Sequence, residues 1–180
     1  MTVYIRFCFF LFLLPPTSLL WAQEASYVPR HENPQGDELV VVYISASNCE
    51  SCLRDDFKTA LETMKRLLAE QASNAGLGFV AQGVALDWDV DAGYQFLKAF
   101  GAFDEIVVGR NWFNIAANEY IWESGDTIPL IPQVLVFLRE TSLAPERVSF
   151  GPRRIIGRYL GDTTIVAWVQ RGAPVDLATR

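Results

Sequence analysis

Leu39-Val40-Val41-Val42-Tyr43-Ile44-Ser45-Ala46-Ser47-Asn48-Cys49-Glu50-Ser51-Cys52 is the stretch that decides the fold. Its first six residues are a continuous apolar run rich in β-branched side chains, the pattern of a short strand covered on both faces. From Cys52 the period changes. Leu53, Phe57, Leu61, Met64 and Leu68 recur at helical spacing, while Lys58, Glu62, Lys65, Arg66 and Glu70 fall largely elsewhere, which predicts an amphipathic helix of about five turns. Asn74-Ala75-Gly76 stops it. The cysteines therefore mark the junction of a buried strand and a helix. Backbone N–H groups at a helix start favour a negative group, so Cys49 is the candidate thiolate and attacking sulfur. Cys52, one turn further in, is the candidate resolving sulfur.

Downstream, Phe79 to Leu86 reads as a second strand, and Asp87-Trp88-Asp89 opens a helical stretch through Tyr94, Phe96, Leu97 and Phe100. Strand, helix, strand, helix is the order that builds parallel pairing through right-handed crossovers. Glu105 to Val108 suits a short strand. Trp112, Phe113, Ile115, Ala116, Tyr120 and Ile121 suit a helix with an aromatic face, one that either fills core or offers a docking surface. Ile131-Pro132 leads into Val134 to Leu138, a proline at the mouth of a strand rather than inside it. Arg147 to Phe150 and Ile155 to Tyr159 read as final strands or a bent hairpin about Gly151-Pro152. Asp162 is the expected N-cap of a closing helix with Ile165, Val166, Trp168 and Val169, ended by Gly172-Ala173-Pro174.

Upstream, Arg6 precedes an unbroken apolar run from Phe7 to Leu14, and Leu20-Trp21-Ala22 offers a small residue for cleavage. Residues 1–22 read as a secretory signal peptide; the alternative is an uncleaved anchor with Pro15 and Pro16 inside it. The proline pair and Thr17-Ser18 favour cleavage. Residues 23–37, with Pro29, Pro34 and Gly36, read as an extended lead-in, 38–172 as the domain and 173–180 as a tail. A periplasmic or secreted location, or a membrane-anchored one if the segment stays, lets disulfides persist. Cleavage removes Cys8 and leaves one pair. The chain carries a net charge of −6, one unit more negative without Arg6, and it has no basic cluster to suggest nucleic acid.

Three other uses of the pair compete with redox chemistry. A zinc site needs four ligands, and beyond Cys49 and Cys52 the mature chain has only His31, so no metal and no cofactor is expected. A purely structural disulfide would close too small a loop to restrict the unfolded chain much. A module that binds a partner while its cysteines stay inert is the third.

The strand, the pair at a helix start and the later Ile131-Pro132 together resemble the thioredoxin superfamily. The resemblance implies an α/β, three-layer fold: a central mixed sheet flanked by helices, with a helical, aromatic insert at about 103–127 ahead of a cis-proline. It further implies that Pro132 is cis beside the cysteines, and that the backbone at Ile131 holds an extended substrate segment near Cys49. The implied partners are a protein disulfide substrate and a membrane electron donor, with no nucleic acid and no stable membrane insertion once the signal is removed. Two departures bear on mechanism. Asn48 precedes the first cysteine with Glu50-Ser51 as spacer, and Tyr43 stands where the family buries an acid. Glu50, Asp55 and Asp56 place negative charge near the pair, which opposes thiolate formation and predicts a reductase rather than a strong oxidant.

Overall fold

Gly36–Ser45 forms the central strand, β1, and every side chain from Leu39 to Ser45 is buried. The computed structural model describes residues 26–30, 36–123 and 128–177. The segment 1–22 read as a signal peptide (with Cys8), His31 with most of the lead-in, residues 124–127 and the end of the tail lie outside the described residues. Around β1 stand α1 (Asp55–Asn74), β2 (Gly78–Ala85), α2 (Val90–Lys98), β3 (Glu105–Val107), α3 (Ile115–Ala117), β4 (Gln133–Ala144), β5 (Arg147–Phe150), β6 (Arg154–Leu160) and α4 (Asp162–Gln170).

The sheet is mixed. Its order is β3-β2-β1-β4-β5, with β6 also paired to β4. β1 runs parallel to β2 and antiparallel to β4, and β2 runs parallel to β3. The long β4 pairs through its first half with β6 and through its last residues with β5, so the two late strands follow one another along a single edge. Without β3 and β5 this is a β-α-β, β-β-α arrangement of order β2-β1-β4-β6. The fold is thioredoxin-like.

Strand alternation sends the residues of β1 to two separate cores. Leu39, Val41 and Tyr43 pack with Phe57, Leu61, Met64 and Leu68 of α1, Phe96 and Leu97 of α2, and Ile165 and Trp168 of α4. Val40, Val42 and Ile44 pack with Ala116, Ala117, Tyr120 and Ile121. The stretch read as an insert thus supplies the helical layer of the second face. It does so through three short pieces: a 3-10 turn at Asn111–Phe113, α3 and a π turn at Asn118–Trp122. Asn114 caps the middle piece by accepting from Ala117 N at 2.7 Å.

Four local expectations need correction. The amphipathic helix starts at Asp55, not Cys52, because Arg54 is extended (φ −66°, ψ 143°); the exposed Leu53 matches the helical spacing without sharing the stripe. Lys65 is not on the solvated face but 0% exposed. Its ammonium donates to Glu62 Oε1, Phe100 O and Ala102 O, each at 2.7 Å, so three acceptors offset its desolvation. The cap of α4 is Gly161, with φ 82°, and Asp162 is the first helical residue; its carboxylate instead complements the helix dipole and pairs with Arg54. Tyr27 of the lead-in is packed. Its ring meets Phe79 edge-on at 5.4 Å, and its hydroxyl donates to Asp104 at 2.6 Å.

Burial pushes the phenols of Tyr27 and Tyr43 far up, and Tyr120 up to about 12. These groups contribute stability that is fully present below about pH 10, the pKa of an unfolded tyrosine, and is lost as pH rises beyond it, since the unfolded chain sheds protons the folded one keeps. Denaturant unfolding at about pH 9 and about pH 11 should show a loss at the higher value that Tyr43→Phe makes smaller. An equal loss in that variant would remove Tyr43 from the account.

Candidate functional site

At the C-terminal end of β1 the chain turns back on itself, and Cys49 and Cys52 are joined in a disulfide with S–S 2.08 Å. Cys49 caps a 3-10 turn, Glu50–Leu53, and Cys52 lies within it, ahead of α1. Cys49 N donates to Ala46 O at 3.0 Å and Cys52 N to Cys49 O at 3.1 Å. The two sulfurs are unequal. Cys52 is 0% exposed, whereas Cys49 is only partly buried against the first core.

The loop entering the turn is strapped to the end of β2. Leu86 N donates to Ser45 O at 2.7 Å. Asp87 accepts from the backbone N and the hydroxyl of Ser47. The Asp87 carbonyl in turn accepts from Asn111 N at 3.0 Å, which fastens the aromatic stretch to the same point. On the far side, Arg54 bonds Asp56 and, at 3.1 Å, Asp162.

The Ile131-Pro132 peptide is cis. In the antiparallel ladder Ile44 pairs with Gln133, so one further step of register brings Pro132 opposite Ser45, at the disulfide's end of the sheet. Gly161 N donates to Pro132 O at 2.8 Å. Gln133, buried, donates to Leu130 O at 2.9 Å and accepts from Arg158 at 2.8 Å, while Arg158 also donates to Tyr120 O. The proline loop is therefore held from β4, β6 and the aromatic layer together. Ile131 is half-buried and packs on the second core.

Beneath the disulfide, Ser45 Oγ lies 3.2 Å from Cys52 Sγ with both residues fully buried. A disulfide sulfur carries no hydrogen, so the serine hydroxyl is the donor. Tyr43 lies two residues back on the same strand face. Its hydroxyl is buried without a hydrogen-bond partner among the described residues, a state that costs about 1–3 kcal/mol. Glu50 is exposed on the rim and is no substitute for a buried acid. The local charge remains acidic: Glu50, Asp55, Asp56 and Asp162 stand against Arg54 and Lys58. Hydrogen bonding from Arg54 holds the Asp56 carboxyl below its usual range. Among the described residues no group of three or more His, Cys, Asp or Glu side chains is placed to hold a metal ion.

The sequence reading missed Ser45 and Asp87. The first was findable, since alternation puts Ser45 on the face of Tyr43. The second was not, because nothing local says that a carboxylate after β2 will reach Ser47. The other face of the aromatic stretch is open: Trp88 (69% exposed) and Phe113 (67%) pack at 6.1 Å, next to Trp112 and Trp122 at 6.0 Å.

Solved structures similar to this chain include thioredoxin-family and Sco/SenC proteins. A thioredoxin-family thiol:disulfide interchange protein from Chlorobium tepidum TLS is 15% identical, over 76% of this chain and 81% of that one, with TM-score 0.38. Yeast Sco1 with copper bound is 16% identical over 75% and 77%, with TM-score 0.37. BsSco, a member of the Sco family of cytochrome c oxidase assembly proteins, is 16% identical over 76% and 80%, with TM-score 0.37. At these values the likenesses say nothing about the site. No protein-family model matches the chain, and no curated protein matches it.

The unequal burial predicts unequal reactivity. After reduction of the folded protein lacking residues 1–22, and with them Cys8, brief treatment with iodoacetamide should add one carbamidomethyl group, at Cys49, and treatment in denaturant should modify Cys52 as well. Equal labelling of both in the folded state would show that the turn opens once the bond is broken.

Proposed function

We propose that the chain is an exported thiol–disulfide oxidoreductase acting on protein disulfides. The observation that carries the reading is the pairing of a reachable sulfur with a sealed one, at the sheet end where the Pro132 loop also lies. In the reduced protein the Cys49 thiolate attacks a substrate disulfide, a mixed disulfide forms and one substrate thiolate leaves. The Cys52 thiolate then attacks the Cys49 sulfur, the second substrate thiolate leaves, and two electrons have passed from protein to substrate. The backbone at Ile131, ahead of the cis peptide, is the edge on which an extended substrate segment would lie.

Export rests on the leader read in residues 1–22. No helix among the described residues is long and apolar enough to cross a membrane, and a membrane donor would restore the dithiol. The excess of carboxylates around the turn disfavours a thiolate at Cys49, and it supports the reductive direction.

Two measurements test this. Cys52→Ala, expressed with its leader, should accumulate disulfide-linked adducts that disappear in the Cys49→Ala, Cys52→Ala double variant. Absence of adducts together with an intact partner complex would leave the alternative, a binding module whose disulfide is structural. Equilibration with glutathione should give a reduction potential clearly more negative than about −120 mV, the value of a strong oxidant; a potential at that value would overturn the reductive assignment.

A further inference from the structure

Resolution of the mixed disulfide requires Cys52 to become a thiolate in a place where burial opposes charge. A fully buried carboxylate would be the obvious helper, and none among the described residues contacts Cys52. From the surrounding elements, the groups that carry or exchange charge are Tyr43 on β1, Glu50 on the turn, Arg54, Asp55, Asp56 and Lys58 around the start of α1, Asp87 after β2, Tyr159 on β6 and Asp162 on α4; the half-buried Asp87 is engaged with the backbone N and hydroxyl of Ser47. Glu50, Arg54, Asp55 and Asp56 are exposed, Lys58 is engaged with Asp55, and Asp162 with Arg54. Tyr159 is stacked on Trp168 with ring centroids 3.8 Å apart. What does touch Cys52 is Ser45, at 3.2 Å.

We propose that Ser45, backed by Tyr43, is the positioning pair that lets Cys52 act as the resolving thiolate. This rests on the thiol-exchange reading above. A serine hydroxyl has one donor and two acceptor sites. With its hydrogen turned to the sulfur, as in the disulfide form, it keeps lone pairs free to accept from the phenol behind it. The Tyr43 hydroxyl, two residues back on the same strand face and buried with no partner among the described residues in the disulfide form, would fill that role in the reduced form. The pair is neutral, so it stabilises negative charge on sulfur by hydrogen bonding without placing a second charge in the core. As Cys52 Sγ attacks, its charge passes to the departing substrate sulfur and the Ser45 hydrogen bond remains on the new disulfide. Neither hydroxyl gains or loses a proton overall.

The test uses the purified, reduced protein with oxidised glutathione as the probe. Formation of the glutathione adduct at Cys49 is the concentration-dependent first phase, and release of the second glutathione is the concentration-independent resolving phase. Ser45→Ala should slow the resolving phase by about tenfold near neutral pH and move its pH midpoint up by about one unit, leaving the first phase unchanged. Ser45→Thr, which keeps the hydroxyl, should restore most of the rate. In the disulfide form Tyr43→Phe removes an atom that has no hydrogen bond among the described residues and keeps the ring packing, so it carries the test of the reduced form should Ser45→Ala fold poorly. It should slow resolution by about threefold with no loss of thermal stability at neutral pH. Resolving rates and midpoints in Ser45→Ala and Tyr43→Phe within about twofold of the parent would overturn the inference while leaving the exchange reading intact. Absence of the first phase in the parent would bring down both.

Discussion

Burial of β1 on both faces is the constraint from which the remaining structure follows. With Leu39 to Ser45 all enclosed, a slip of one residue would exchange the contents of the two cores, placing Tyr43 among the residues around Tyr120 and Val42 beneath α1. Such a slip would break the pairing with β2 and with β4 at the same time, since both neighbours are read from this strand. The register that keeps the cores apart is the same register that sets Ser45 under Cys52. Site geometry is here a by-product of core packing, and the site needs no strain of its own to hold it.

The two faces are built differently. The first is a layer of continuous helices, with Tyr43, Phe57 and Phe100 in mutual ring contact and Phe96 against Phe100. The second is covered by three short helical pieces whose inner side chains, Ala116, Ala117, Tyr120 and Ile121, meet the sheet while Phe113, Ile115 and Trp122 face out. Asp87 joins these layers at the site: its carboxylate fixes the cysteine loop and its carbonyl fixes the first of the short pieces. One residue thereby ties the aromatic layer to the loop that carries Cys49.

Much of this was legible beforehand because it is local. The apolar run at 39–44, the change of period after it, the turn residues at 74–76 and the proline before β4 each state their structure in a few neighbouring residues, and Asp89 indeed caps α2 by accepting from Ala92 N at 2.7 Å. What escaped is long-range or coincidental. Leu53 falls at helical spacing from Phe57 although the chain is extended between them. Lys65 looks like a surface residue until the carbonyls of Phe100 and Ala102 are brought beneath it by the packing of α2. The division of the aromatic stretch into an inner and an outer side is set by the sheet it covers, which a periodicity reading cannot see. At the site, the cysteines and the proline could be read from their neighbours; of their hydrogen-bonded support, Ser45 was within reach of strand alternation and Asp87 was not.

Tyr27 docks beside Phe79 and Asp104, near the start of β2, whereas the disulfide lies beyond the end of that strand's parallel neighbour. Ala85 stands six positions after Phe79, a span of about 20 Å in extended chain. Tyr27 therefore seats at the pole away from Cys49. Were the chain held to a surface close to Tyr27, Cys49 would stand on the far side of the folded body from the point of attachment.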